Sequence, residues 1–145
     1  MVAEAEYQEY RDWVSAVLLD YQFIEEGLRW YLATAYKLIL KRLDGALPFA
    51  YSYDDNDKDA LGTLISKFEK VTTNTDLVAE LKMLVKSRNA VTHRAFLLSS
   101  EQQDDAAHLK TLKTGLETLR VRTNDCVHKI FKETKDLEAK LKETA

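Results

Sequence analysis

The chain has 145 residues, of which 46% are hydrophobic and 31% are charged, and its formal net charge at pH 7 is −3. This length and balance predict a single globular domain, residues 1–145, and exclude a disordered chain, because disorder accompanies low hydrophobicity and high net charge. The single cysteine, Cys126, excludes an intrachain disulfide and a cysteine-based metal site, and no apolar run has the length that a membrane span requires.

The first predicted element is a helix over residues 4–43. This segment contains no proline, and its apolar residues recur three and four positions apart: Tyr10, Val14, Val17, Tyr21, Ile24, Leu28, Tyr31, Ala35 and Leu38. Gly27 is the one position at which the helix could bend or break. Glu25 and Glu26 are expected to face solvent, with a carboxylate near a basic site as the alternative. The segment's start resembles no signal peptide, so we expect a cytoplasmic protein without membrane contact.

Residues 44–57 are predicted to form a loop, because Gly45 is well suited to end a helix and Pro48 cannot continue one. The acidic run near the end of this loop does not fit a calcium-binding loop, since the positions that require glycine and glutamate carry other residues. We therefore expect Asn56 or Asp57 to cap the second helix.

Two shorter helices and a second long helix follow. The second helix is predicted over residues 58–71, and its inward residues are Leu61, Leu64, Ile65 and Phe68. Thr75 or Asp76 is expected to cap the third helix, which ends near residues 97–98, and the last helix covers residues 104–143. Because the last helix matches the first in length, we expect the two to lie antiparallel. The predicted architecture is all-α, a bundle with two long and two shorter helices.

The charge is unevenly distributed along the chain. The last 40 residues carry a net charge of +3, whereas the remainder carries −6. This asymmetry is too small to identify a nucleic-acid-binding protein by itself. Four basic residues of the last helix are candidate RNA contacts: Lys110, Lys113, Arg120 and Arg122. His108 and His128 have no partner at metal-ligand spacing, and we expect them at the surface or at an interface.

The apolar stripe of the third helix is interrupted by a cation. The three-then-four spacing of its leucines places Arg88 where another apolar residue is expected, with Asn89 beside it and His93 five residues on. Asn89 and His93, four residues apart, share a helix face. Arg88 and His93 lie about 140° apart around the axis at roughly 100° per residue. One helix therefore does not readily bring them together unless it unwinds near Thr92. Two copies related by a two-fold axis are another way to gather two arginines and two histidines in one cleft.

These residue types suit phosphodiester cleavage without a metal or another cofactor. A histidine accepts a proton from a ribose 2′-hydroxyl or donates one to the leaving 5′-oxygen. An arginine stabilises the phosphorane that develops, and an amide such as that of Asn89 orients the histidine or a phosphate oxygen. The residues alone leave a structural interpretation open, in which Arg88 extends to water from the edge of the core and His93 interacts with the helix dipole.

The segment Arg88-Asn89-Ala90-Val91-Thr92-His93 resembles the arginine, polar residue, three residues, histidine signature of the HEPN superfamily. The surrounding residues 84–97 look like the motif region of its small bacterial members, and residues 24–28 and 61–65 are similar in kind. The resemblance implies a HEPN-like helical bundle that dimerises so that both motifs line one cleft. It also implies a metal-independent endoribonuclease, with Arg88 and His93 catalytic and Asn89 supporting.

The resemblance further implies RNA as the substrate, a homodimer, and a role in toxin–antitoxin, abortive-infection or other defence systems, with an antitoxin protein as a partner. One position departs from the family: members regulated by nucleotidylation carry a tyrosine two residues after the histidine, where this chain has Ala95. This departure removes the reason to expect a nucleotidyltransferase partner. Two alternatives stay open, a non-catalytic HEPN-like binding or regulatory module and an unrelated helical adaptor whose apolar stripes bind partner helices.

Overall fold

The computed structural model describes residues 2–51, 53–96, 98 and 100–144, with side chains at 4–51, 55–94, 98 and 100–143. Its elements are α1 (Val2–Leu43), a 3-10 helix (Tyr53–Asn56), α2 (Leu61–Glu69), α3 (Thr75–Phe96), α4 (Ser100–Gln103) and α5 (Ala106–Thr144). No strand occurs among these residues, and the all-α prediction of two long and two shorter helices is confirmed, with α4 as an additional single turn. None of the described helices is long and apolar enough to cross a membrane.

The two long helices run parallel, so the antiparallel prediction is wrong. Three contacts follow one another in the same order along both helices: Glu9 with Lys113, Asp20 with Arg120, and Gly27 with Ile130. Equal length specifies no direction, because direction depends on how often the chain reverses between the two helices. Here α3 is antiparallel to both α1 and α5, and two reversals restore the original direction.

The loop after α1 turns the chain back along that helix. The helix ends at Leu43, and Asp44 and the predicted stop, Gly45, follow it with positive φ angles of 44° and 78°. Farther on, the guanidinium of Arg29 donates to the carbonyl oxygens of Asn56 at 3.2 Å and Asp59 at 3.0 Å. The loop thus attaches to the middle of α1, and α2 starts there.

Three helix starts differ from the predictions. Asn56 is buried and accepts a hydrogen bond from Lys67 at its side-chain oxygen, so neither it nor Asp57 caps α2, which begins after Ala60. Asn74, rather than Thr75 or Asp76, caps α3, because its side chain accepts a bond from the backbone N–H of Leu77 at 3.1 Å. The cap of α5 is Asp105, which accepts from the N–H of His108 at 3.1 Å. At Gly27, where a break was possible, α1 continues without one, and a Cβ added there would lie 3.3 Å from Cγ2 of Ile130.

The core lies where the apolar stripes of α1, α2, α3 and α5 meet. The predicted stripe of α1 is buried from Tyr10 to Ala35, and the four inward residues of α2 are buried as predicted. On α3 the buried side chains are Leu77, Val78, Leu81, Leu84 and Val91. The hydroxyl of Tyr21 donates to the carbonyl oxygen of Leu84 at 2.8 Å, which joins α1 to α3 one turn before the interrupted part of the stripe.

Candidate functional site

Arg88 lies on the buried face of α3, between the buried side chains of Leu84 and Val91. Its side chain reaches the edge of the core, where it is 37% exposed and its Nη2 lies 3.7 Å from Oε1 of Glu25. The other oxygen of Glu25 lies 3.4 Å from Nη2 of Arg29. The Glu25 side chain, 16% exposed, therefore stands between two guanidinium groups instead of facing solvent.

Asn89 and His93 lie on a different face of α3, and both are exposed. No hydrogen bond joins them in the part of the chain that the structure describes. Because Arg88 faces α1 whereas His93 faces outward, a single copy does not bring the two proposed catalytic side chains together. Because α3 continues without interruption to Phe96, Arg88 and His93 keep the angular separation around the helix axis that their five-residue spacing predicts.

His93 lines a groove between the C-terminal half of α3 and the N-terminal half of α5, which we call the α3–α5 groove. It consists of a depression of about 530 Å³ beside His93 and His108 and one of about 360 Å³ that extends to Ser87 and Arg122. Both depressions share Ala90, Arg94 and Leu112, so they form one continuous feature. Because many side chains along this seam are small, α3 and α5 do not fill the gap between them, and the groove stays open.

The structure divides the four cations of α5 that we predicted as RNA contacts. Lys113 forms ion pairs with Glu9 and Glu117, and Arg120 pairs with Asp20 at 3.2 Å, so these two have carboxylate partners. Lys110 is exposed, and Arg122 lines the α3–α5 groove. Glu9 and Asp20 lie far from Lys113 and Arg120 in the sequence, and such pairing leaves no local signal. The sequence therefore did not separate these two cations from Lys110 and Arg122.

Arg94 and His108 complete the basic lining of the groove, and we did not predict either as a functional residue. Arg94 follows His93 directly in the sequence, which was the one available signal for it. Neither Arg94 nor Arg122 forms an ion pair with a carboxylate among the described side chains.

Cys126 is not a candidate nucleophile. Its side chain is buried, and burial raises the pKa of its thiol from 9.0 to about 12, with a further contribution from the charge of Glu80. A thiol needs a lowered pKa to react as a nucleophile near neutral pH. Within the described residues no three His, Cys, Asp or Glu side chains are grouped so that they could hold a metal ion.

In comparisons with protein-family models, curated proteins and solved structures, the chain matches none. The similarity to the HEPN signature therefore rests on Arg88, Asn89 and His93 and on the residues around them.

Proposed function

We propose that the protein is a HEPN-type, metal-independent endoribonuclease that acts as a homodimer in a toxin–antitoxin, abortive-infection or other defence system. The observation that supports this proposal is the accessibility of the motif side chains. His93 is exposed, and Arg88, although it stands in an apolar stripe, keeps more than a third of its side chain exposed. The 3.7 Å contact with Glu25 is too long for a hydrogen bond, so it does not occupy the donors of Arg88.

In the proposed reaction, the ribose 2′-hydroxyl attacks the adjacent phosphorus while one His93 takes its proton. The bond from phosphorus to the 5′-oxygen breaks, and that oxygen takes a proton from water, which the protonated His93 then restores. The products are a 2′,3′-cyclic phosphate and a free 5′-hydroxyl. Arg88 stabilises the negative charge on the pentacoordinate phosphorus, and Asn89 positions a phosphate oxygen or the imidazole.

Two faces of one helix supply Arg88 and His93, so the proposal requires the arginine of one copy to meet the histidine of the other. Mixing two inactive variants tests this requirement. Arg88→Ala and His93→Ala are each expected to abolish cleavage of a single-stranded RNA. Denaturing and refolding an equal mixture should restore about a quarter of wild-type activity, because about half of the dimers are mixed and each has one intact site out of two.

No cleavage by the wild-type protein would contradict the proposal, and no recovery in the mixture would contradict the shared site. Lys132→Ala, which removes an exposed cation of α5 outside the groove, is the matched control and should cleave normally. Size-exclusion chromatography of each variant checks that all of them form the same oligomer.

A specific observation favours the second candidate function, a non-catalytic HEPN-like binding or regulatory module. Arg88 has a carboxylate partner within its own chain, and Glu25 is mostly buried. Under this alternative, Arg88 contributes to the packing of α3 on α1. Arg88→Ala would then lower the free energy of unfolding substantially, and neither the wild-type protein nor the variant would cleave RNA in any assay.

A further inference from the structure

The α3–α5 groove has an apolar floor. Its floor residues are Val91, Leu112, Leu116 and Leu119. Gly115 also lines the groove, and a Cβ added to this glycine would meet no atom within 4 Å. The space above Gly115 is therefore empty, and a partner can approach the backbone of α5 closely at this point.

Basic side chains surround this floor. Arg94 and Arg122 lie along the groove, and His93 and His108 lie at the end where α3 finishes. No acidic side chain is among the described residues that line it, although the chain has 24 acidic and 21 basic residues. The groove is thus apolar at its base and complementary in charge to an anionic partner.

The shape and chemistry of the groove fit a helix better than a nucleic acid. From His108 to Arg122, α5 rises about 21 Å at roughly 1.5 Å per residue, the length of about four helical turns. A helix that fills the seam between two others packs at about 8–10 Å from each axis. Single-stranded RNA is held largely by stacking on aromatic side chains. No Phe, Tyr or Trp is among the described residues that line the groove, and the two histidines stand only at one end of it.

We propose that the α3–α5 groove binds an amphipathic helix of a partner protein, with aliphatic residues along one face and acidic residues on both flanks of that face. The aliphatic face lies on the leucines of α5, and the acidic flanks pair with Arg94 and Arg122. A helix bound in this way covers His93. The proposal rests on the groove itself and does not depend on ribonuclease activity.

The test uses the full chain and a fluorescein-labelled synthetic peptide of about 21 residues, with leucine at heptad positions a and d and glutamate at e and g. A second peptide has the same composition in scrambled order. Fluorescence anisotropy is expected to show binding of the amphipathic peptide and about tenfold or more weaker binding of the scrambled one. Equal binding of both peptides, or no binding of the first at about 100 µM, would overturn the proposal.

Three variants locate the binding site. Arg94→Glu combined with Arg122→Glu should weaken peptide binding by about tenfold or more, because it reverses both flanking charges. Lys37→Glu combined with Lys132→Glu makes the same change in net charge at exposed positions outside the groove and should leave binding within about twofold. Gly115→Leu fills the empty space and should also weaken binding.

Circular dichroism and urea unfolding verify that each variant is folded before its affinity is compared. Unchanged affinity in both groove variants would place the peptide elsewhere and overturn the proposal. A single-stranded RNA of about 12 nucleotides supplies the competing ligand. If this RNA displaces the peptide, binds more tightly than it and loses affinity in the Arg94→Glu/Arg122→Glu variant, the groove is a nucleic-acid site and the proposal is wrong.

Discussion

Arg88 Nη2 lies 3.7 Å from Glu25 Oε1, so the cation that interrupts the stripe of α3 forms an ion pair with α1 without a hydrogen bond. Because the Arg88 side chain is 37% exposed, water screens this pair, and such pairs contribute about 0–1 kcal/mol to stability. A leucine at the same place would bury more apolar surface. The stability of the fold therefore does not account for an arginine here.

Arg88→Ala is accordingly expected to change the free energy of unfolding by less than about 1 kcal/mol while it abolishes RNA cleavage. Urea unfolding followed by circular dichroism, together with a cleavage assay on the same preparation, measures both effects. A loss of about 3 kcal/mol or more would instead identify Arg88 as a structural residue.

The pair between Asp20 and Arg120 is expected to matter more for stability. The Asp20 side chain is 3% exposed and accepts hydrogen bonds from Arg120 at 3.2 Å and from the hydroxyl of Thr123 at 3.1 Å. Arg120→Ala leaves a buried carboxylate with one fewer donor. Since Arg120 itself is 41% exposed, we expect a loss of about 1–2 kcal/mol rather than the full cost of breaking a buried pair.

Urea unfolding of Arg120→Ala, of Asp20→Ala and of the double variant measures this coupling. The double variant should be more stable than the sum of the single effects predicts, because the second substitution removes the unpaired charge. Lys82→Ala is the control, since its pair with Glu69 is about half exposed on both sides, and it should shift stability by less than about 0.5 kcal/mol. Simple additivity at Asp20 and Arg120 would contradict the prediction.

Two glycines inside long helices should respond in opposite ways to substitution. A Cβ at Gly27 would lie 3.3 Å from Cγ2 of Ile130, whereas one at Gly115 would meet nothing within 4 Å. We expect Gly115→Ala to raise the free energy of unfolding by about 0.5–1 kcal/mol through helix propensity. Gly27→Leu should lower it by about 1–3 kcal/mol, because the added side chain separates α1 from α5.

Thermal and urea unfolding of both glycine variants compare these effects. Gly115→Leu is the size-matched control for Gly27→Leu, and it should unfold no more readily than the wild-type protein. If the two leucine variants lose equal stability, close packing at Gly27 is not the cause.

The thiol of Cys126 makes stability depend on alkaline pH. Burial raises the pKa of this group from 9.0 to about 12, so the folded state holds its proton more tightly than the unfolded state does. The resulting stabilisation is complete below pH 9 and decreases as the pH rises from 9 towards 12. Urea unfolding at several pH values should therefore show a shallower alkaline decrease for Cys126→Ala than for the wild-type protein.

The same burial predicts how the thiol reacts. At pH 8 a thiol-specific reagent should leave native Cys126 unmodified and should modify it rapidly in urea. Rapid modification of the native protein would contradict the burial of this side chain.

The residues of the helices and their buried faces were predictable, because each apolar stripe is a local pattern. The direction of α5 was not, since it depends on the loop that attaches to Arg29, and that attachment joins distant segments through backbone carbonyls. The caps at Asn74 and Asp105 each lie close to the predicted helix starts, where several neighbouring polar residues are equally able to cap the helix N-terminus.

The sequence singled out Arg88, Asn89 and His93 as candidates, and it offered Glu25 near a basic site only as an alternative to a solvent-facing position. That contact depends on the packing of α1 against α3, which periodicity does not specify. The α3–α5 groove was unpredictable for a related reason: it results from small residues on two helices that face each other only in the folded chain.

The parallel arrangement of α1 and α5 has a consequence for how the protein is made. About 60 residues separate the end of α1 from the start of α5, so a ribosome that adds roughly 5–20 residues per second completes α1 roughly 3–12 seconds before its main partner begins to emerge. During this interval α2 and α3 are able to cover only part of the apolar surface of α1. A nascent chain of this topology therefore exposes a long amphipathic helix to chaperones until α5 has been made.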